Sequence, residues 1–301
     1  MEQKQPPFRM GSVALIGRPN VGKSTLLNHL LDFKLSITSP KPQTSRHRLR
    51  GILTKNNYQM VFFDTPGLMS KARDSLDRRM RTHARDAVEE ADLVLLIVEP
   101  FPPGAVEEEC IQSLKESEKT AILAINKIDR IKKEVLLPVI EKYNDRFPFI
   151  HSVPVSARTS EGLQLLETLI ADCLPEGKRM YPIDEVTDRS ERFLAGELVR
   201  QQLYYLYGQE IPYDTGVWVE SFRDPRTDFQ TKTVIEATIF VEKISQKQIL
   251  IGSNGDALKK VGVQAREAIE KLLQRPVFLD LWVQVQPNWR TDQKVLEELG
   301  Y

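Results

Sequence analysis

The chain has 301 residues, 41% hydrophobic and 28% charged, and its 42 Lys and Arg are balanced by 42 Asp and Glu. That length suffices for two domains, each burying its own core, and the composition is ordinary for a soluble globular protein. A formal net charge of zero excludes a whole-molecule field drawing the chain to nucleic acid or membrane, so any basic surface must be local.

The first ten residues, MEQKQPPFRM, hold no apolar segment of signal-peptide length and read as a flexible N-terminus, 1–10. The apolar run LVLLIV, Leu93–Val98, has six residues, far short of the roughly 20 needed to cross a bilayer. Cys110 and Cys173 lie far apart and His29, His47, His83 and His151 are scattered. No metal-ligand spacing results, and two reduced thiols are expected.

From Ser12 to about Leu174, β-like runs alternate with helical ones. The runs are SVALI (Ser12–Ile16), YQMVFF (Tyr58–Phe63), DLVLLIVE (Asp92–Glu99), KTAILAI (Lys119–Ile125) and FIHSVPV (Phe149–Val155). Most are apolar on successive residues, which suits strands buried on both faces of a parallel sheet. The last helix, Glu161–Leu174, puts Leu163, Leu166, Leu169, Ile170 and Cys173 on one face. An α/β domain over 11–174 follows, with ligands expected at the carboxyl ends of its strands.

The stretch 175–188, PEGKRMYPIDEVTD, breaks the pattern with two prolines, a glycine and many charges and reads as a linker. Beyond it, 189–301 has a different grammar. A helix, Arg189–Gly208, precedes alternating strands at Thr215–Phe222 and Thr233–Lys243. QKQILIG then leads into GSNG (Gly252–Gly255) and a helix, Asp256–Leu273. In the closing strand, Pro276–Gln286, Leu279, Leu281, Val283 and Val285 face one way and Asp280, Trp282, Gln284 and Gln286 the other. The second unit is a small α+β domain, its core at about 206–286.

GRPNVGKST, spanning Gly17, Arg18, Pro19, Asn20, Val21, Gly22, Lys23, Ser24 and Thr25, follows a strand and opens a helix. This is the phosphate-binding loop G-x4-G-K-[ST] in its required context. Its glycines let backbone N–H groups wrap around phosphates at a helix N-terminus. Lys23 would reach the β- and γ-phosphates, and the Ser24 hydroxyl would ligate magnesium. DTPG (Asp64, Thr65, Pro66, Gly67) ends the next strand; Asp64 there can hold magnesium through water and Gly67 can touch the γ-phosphate. NKID (Asn126, Lys127, Ile128, Asp129) ends another. A carboxylate at Asp129 accepts both N1–H and N2–H of guanine, donors that adenine lacks, so guanine is selected. SAR follows, with Ser156 and the Ala157 N–H available to guanine O6.

These four motifs, in this order, resemble a translation-factor-class GTPase. GRPNVGKST with DTPGL is the form found in the branch containing the TrmE, Era and Der GTPases. One G domain at the start of the chain, together with SQKQILIGSNGDALKKVG and LWVQVQPNWRTDQKVLEELGY, resembles the Era family: a P-loop G domain followed by a type II KH domain. The resemblance runs from about Ser12 to Tyr301. It implies a slow GTPase using GTP/GDP and Mg2+, acting as a monomer. It also implies binding to the 3′ end of small-subunit (16S) rRNA and a role in assembly of the 30S subunit. Era relatives are cytoplasmic and associate peripherally with the membrane. The alternative is a GTP-dependent scaffold for RNA or protein with negligible turnover.

Leu68 follows DTPG, where many GTPases carry a glutamine that orients the attacking water. Resemblance to hydrophobic-substituted GTPases implies that other groups place the water, with Asn20 helping to hold K+. The stretch Phe33–Lys55 carries six Lys/Arg and no acid, as a mobile basic switch I that orders around the γ-phosphate would. Where the family reads Thr-Thr-Arg, this chain reads Thr44-Ser45-Arg46. Either hydroxyl, Thr44 or Ser45, could serve magnesium; Thr44 joins Asn20 and Lys23 as a candidate catalytic group.

In KH folds the G-x-x-G loop admits the nucleic-acid backbone. Here Gly252, Ser253, Asn254 and Gly255 include no basic residue, and Lys259 and Lys260 one turn on are the expected compensation. Across Phe240–Lys294, nine Lys/Arg against six Asp/Glu leave a net charge of only +3. A modest salt dependence is expected, with more weight on base contacts. Trp282 and Trp289 are candidates either for stacking or for packing.

Overall fold

A computed structural model describes residues 7–67, 74–228 and 231–301. By their contacts these form two units. One holds residues 7–36, 45–67 and 78–188; the other holds 37–44, 74–77 and 189–301.

The first unit is a six-stranded sheet with helices around it. Its strands are β1 (Arg9–Ile16), β2 (Leu49–Thr54), β3 (Tyr58–Asp64), β4 (Leu93–Val98), β5 (Ala121–Ile125) and β6 (His151–Pro154). Its helices are α1 (Lys23–Leu31), α2 (Ser75–Glu90), α3 (Ala105–Glu116), α4 (Leu136–Asn144) and α5 (Leu163–Cys173). The strand order is β2-β3-β1-β4-β5-β6. Every pairing is parallel except β2 with β3. All six residues of β4 and all five of β5 are buried, which is what their unbroken apolar runs require of strands covered on both faces. Val94, Leu96, Leu123 and Ile125 pack with Cys110, Ile111 and Leu114 of α3 on one side of the sheet. Burial pushes the Cys110 thiol up to about 12, so it behaves there as a small hydrophobe.

Three expectations change. Strand β1 begins at Arg9, so the last two residues of the supposed flexible N-terminus are strand; residues 1–6 lie outside those described. Strand β2 occupies the end of the stretch read as a mobile basic loop, in antiparallel register Leu49 to Asp64 through Thr54 to Gln59. Its charges are engaged: Arg50 pairs with Asp188 at 3.1 Å and Arg48 pairs with Glu90.

The supposed linker 175–188 is a strap on the first unit. Met10 N–H donates to Pro175 O and Gly177 N–H to Phe8 O (3.0 Å each), and Ile52 N–H donates to Val186 O (2.8 Å). The fully buried Gln59 accepts from Met180 N–H and Tyr181 N–H at 2.9 and 3.0 Å and donates to Tyr181 O at 3.0 Å. Nonlocal backbone pairing holds a segment whose prolines and charges suggested a free chain.

The second unit consists of α6 (Glu191–Leu206), β7 (Gly216–Arg223), α7 (Pro225–Asp228), β8 (Thr233–Val241), α8 (Ile244–Ile251), α9 (Asp256–Leu273), β9 (Val277–Val285) and α10 (Gln293–Glu298). The sheet order is β7-β8-β9, antiparallel between β7 and β8 and parallel between β8 and β9. The parallel pair is joined through the two helices α8 and α9. Ile235, Ala237, Ile239 and Val241 of β8 pack on Leu250, Val261, Ala265 and Ile269 from these helices and on Leu198, Val199 and Leu203 of α6. Ser190 caps α6 by accepting from Phe193 N–H at 3.3 Å.

Candidate nucleotide site and RNA module

The loop after β1 depends on backbone conformations that a side chain would obstruct. Gly22 sits at φ 102°, and a Cβ there would meet the Asn126 amide nitrogen at 2.3 Å. At Gly17, φ 146°, a Cβ would meet Ile97 O at 2.2 Å. Lys23, at the start of α1, is buried and donates to Gly17 O and Arg18 O at 3.0 Å each. Burial lowers its pKa to about 8, against the opposing pull of Asp64. The ammonium is thus held against the loop, under-compensated, where a polyphosphate would supply the missing anion.

Asp64 ends β3, fully buried, and accepts from Ser24 Oγ at 2.8 Å; Ser24 Oγ lies 2.7 Å from Ser45 Oγ. Burial raises the Asp64 pKa, opposed first by the Ser36 hydroxyl and then by Lys23 and Ser24. A buried carboxylate with the Ser24 and Ser36 hydroxyls against it, and Ser45 Oγ beside Ser24, is a hard-oxygen set suited to Mg2+, which takes few protein ligands and completes its shell with water and phosphate. Thr44 faces elsewhere: its hydroxyl donates to Lys41 O at 2.8 Å and lies 2.6 Å from Ser39 Oγ. Of the two candidate hydroxyls, the structure brings Ser45 to Ser24 and Asp64. Thr65 is fully buried and donates to Leu15 O at 2.6 Å, so it anchors the turn. A Cβ on Gly67 would meet Pro19 N at 2.6 Å, which places DTPG beside the phosphate loop. Leu68 lies outside the described residues.

The base-recognition motifs meet at the ends of β5 and β6. Asn126 donates to Val21 O at 2.7 Å and accepts from Ala157 N–H at 2.9 Å, tying the phosphate loop to SAR. Asp129 is held by Ser156 Oγ at 2.7 Å and by Arg158, whose Nε stands at 3.0 Å. The Ser156 hydrogen bond, then Arg158, keeps its carboxyl below the usual range, so it is ionised and ready to accept two donors. Gly22, Thr25, Asn126, Lys127, Asp129, Arg130, Ala157 and Arg158 line a cavity of about 190 Å³. Lys127 donates to Asn20 O at 2.6 Å and pairs with Glu99, which also takes Arg18 at 3.3 Å. Glu99 escaped the motif reading, and Arg158, the last residue of SAR, was given no role in it. Glu99 is an acid at a strand's carboxyl end, which is the one signal that could have pointed to it.

In the second unit, Gly252 ends α8 and Ser253–Gly255 form a single 3₁₀ turn into α9, with Asn254 left-handed at φ 50°. Lys259 and Lys260 are exposed one turn along α9. Trp289 is fully buried and its indole N–H donates to Asp214 O at 2.9 Å, which makes it a packing anchor; Trp282 is exposed. Segment 37–44 also packs here. Ile37 joins the core, Gln201 donates to Thr38 O at 2.8 Å, Tyr204 donates to Gln43 O at 2.9 Å, and Lys41 donates to Tyr204 O and Tyr207 O. This part of the expected mobile loop is therefore docked.

Residues 12–127 match the family described as 50S ribosome-binding GTPase, and residues 215–290 match the KH domain family. The GTPase Era of Geobacter metallireducens is 47% identical over 98% of this chain and 98% of its own length. The chain belongs to the Era family of GTPases. The Era of Lactobacillus delbrueckii subsp. bulgaricus is 42% identical to this Era-family chain over 97% of it and 96% of the relative. Among solved structures, a single-residue variant of Aquifex aeolicus Era bound to GDP·AlF4⁻ is 38% identical with a TM-score of 0.93, covering 98% of this chain and 99% of that one. A crystal structure of Era in complex with MgGDPNP and nucleotides 1506–1542 of 16S ribosomal RNA matches at the same identity, TM-score and coverage.

Proposed function

We propose that this Era-family chain is a GTP-operated switch that grips the 3′ end of small-subunit rRNA through its KH domain, acts in assembly of the 30S subunit and lets go on hydrolysis. One observation carries the reading. A phosphate loop, an ionised guanine-accepting Asp129 and a G-x-x-G turn between two helices occur in one chain, in the fold of the Era that holds MgGDPNP and 16S nucleotides 1506–1542. The nucleotide domain runs from β1 through the strap 175–188, and the KH domain with its tail is 189–301.

The residues divide the work by chemistry. Asp129, with Ala157 N–H, selects guanine. Gly17–Thr25 bind the phosphates, Lys23 supplying positive charge where negative charge develops. Mg2+, when bound at Ser24 and Ser45 and through water at Asp64, neutralises charge on the phosphate oxygens. Thr44, docked with Ser39 and Lys41, enters the phosphate site only if residues 37–44 release. Leucine at position 68 cannot orient a water, so intrinsic turnover is slow, and Asn20 helps hold a K+ that assists it. Gly252–Gly255 admit the RNA backbone, with Lys259 and Lys260 on its phosphates. The protein works as a cytoplasmic monomer that contacts the membrane only peripherally. Among the described residues no helix is long and apolar enough to cross a membrane.

The test is multiple-turnover phosphate release from GTP in K+ and in Na+ buffers, with Lys23→Ala as control. Slow release, faster in K+ and lost in the control, is expected. Absence of release in both buffers would leave a GTP-dependent scaffold.

A further inference from the structure

The helices of the second unit cover one face of its sheet, and the other face carries a row pattern that RNA binding through the Gly252–Gly255 turn does not use. In register across β7, β8 and β9, the outward rows are Trp218–Thr238–Trp282, Ser221–Glu236–Asp280 and Arg223–Val234–Phe278. A fourth row, Gly216–Phe240–Gln284, is closed by the tail: a Cβ on Gly216 would meet Leu299 at 3.1 Å and Trp289 at 3.4 Å. The remaining rows are open at their β9 ends, while at the β7 end the Arg192 guanidinium lies 5.5 Å from the Trp218 ring centroid. Trp282 is 62% exposed and Phe278 55%. Thr238 is buried between its two tryptophan neighbours and donates to Glu220. Two large aromatics exposed on one face of a single strand, with Trp218 in the adjoining row, make a contiguous apolar surface of the kind that serves binding.

The polar groups on this face state what it would bind. Glu220, Glu236 and Asp280 bring three carboxylates among the aromatics. Glu236 is paired with Arg223 at 2.7 Å, and Glu220 accepts from Thr238. Asp280 has no hydrogen bond or ion pair among the described residues, and it lies between Phe278 and Trp282 on the same strand face. At about 3.3 Å per residue the two rings stand about 13 Å apart along the strand with the carboxylate midway. Carboxylates repel a phosphodiester backbone, so single-stranded nucleic acid is disfavoured here. A guanidinium suits the site on both counts: it forms bidentate hydrogen bonds to a carboxylate and lies flat on an aromatic face.

We infer that the outer sheet face of the second unit is a docking surface for an extended, arginine-bearing segment of a protein partner, with Asp280 taking the guanidinium between Phe278 and Trp282. The partner's chain runs along β9, its alternate side chains meeting the Phe278, Asp280 and Trp282 rows. The site lies on the opposite face from α8 and α9, so a protein segment and an RNA strand can be held at once.

The experiment uses the full chain and three fluorescent probes: a peptide alternating arginine and valine, the same peptide with glutamate for arginine, and a single-stranded RNA. The chain, Asp280→Asn and Trp282→Ala are titrated against each. Unchanged thermal melting and GTP hydrolysis in the variants show that their folds are intact. The arginine peptide is expected to bind and the glutamate peptide not. Each substitution should weaken peptide binding by about tenfold and leave RNA binding unaltered. Failure of the arginine peptide to bind, or equal binding to all three proteins, overturns the inference. Loss of RNA affinity in Trp282→Ala with peptide binding unchanged also overturns it, and reassigns the face to nucleobase stacking.

Discussion

At the scale of residues, the site is a set of groups each held by a second group. Asp129, the proposed selector of the base, is kept ionised by Ser156 and then Arg158. Asp129→Asn replaces one acceptor oxygen by a donor and leaves guanine N2–H without its partner. GTP affinity should fall on the order of a hundredfold or more while XTP, with a carbonyl at C2, gains. Competition titration of the two nucleotides on the variant checks this, and retained preference for GTP would contradict it. Most of these residues were legible because a phosphate loop and its companions are local motifs whose spacing carries their chemistry. Thr44 and Ser45 were not separable, since adjacent hydroxyls look alike until backbone geometry turns one toward Ser24 and the other toward Lys41 and Ser39. Trp282 and Trp289 likewise share a residue type and differ only in what packs around them.

At the scale of elements, the long apolar runs declared themselves and the polar, paired segments did not. Strand β2 hid in a basic stretch because its partner β3, rather than its own composition, makes it a strand. The strap 175–188 hid because its hydrogen bonds reach across more than a hundred residues of sequence to Gln59. Gln59→Ala removes two accepted and two donated hydrogen bonds, three of them to the strap and one to Thr54 Oγ1, from a buried position. It should cost about 1–3 kcal/mol and expose Lys178 and Arg179 to trypsin well before the rest of the first unit is cut. Limited proteolysis followed by mass spectrometry reads this out; unchanged cleavage kinetics would mean that the strap is held elsewhere.

Helix α6 poses a different problem, a buried ion pair. Arg200 Nε donates to Glu197 Oε1 at 2.7 Å and Nη2 to Oε2 at 2.6 Å, while Nη1 is buried without a partner. Arg200→Met alone takes both guanidinium bonds from the buried Glu197 carboxylate and should destabilise the second unit by about 3–5 kcal/mol. Replacing both Glu197 and Arg200 with apolar residues should recover most of that loss. Denaturant unfolding of the single and double variants decides it, and a double variant no more stable than Arg200→Met would contradict the reading.

At the scale of the whole molecule, two units with separate cores carry separate chemistries, and the contacts of residues 37–44 belong with the second unit although the sequence places them after α1. A segment expected to sense the γ-phosphate thus shares its anchorage with the KH-family unit. In the proposed switch, nucleotide state controls the grip on RNA. The most direct measurement is fluorescence anisotropy of a short RNA copied from the 3′ end of small-subunit rRNA. It is titrated with the chain loaded with a non-hydrolysable GTP analogue or with GDP, and a scrambled RNA serves as control. Sequence-selective binding at least tenfold tighter, about 1.4 kcal/mol, is expected in the GTP-like state. Equal affinity in the two states, or none for the authentic sequence over the scrambled one, would contradict it.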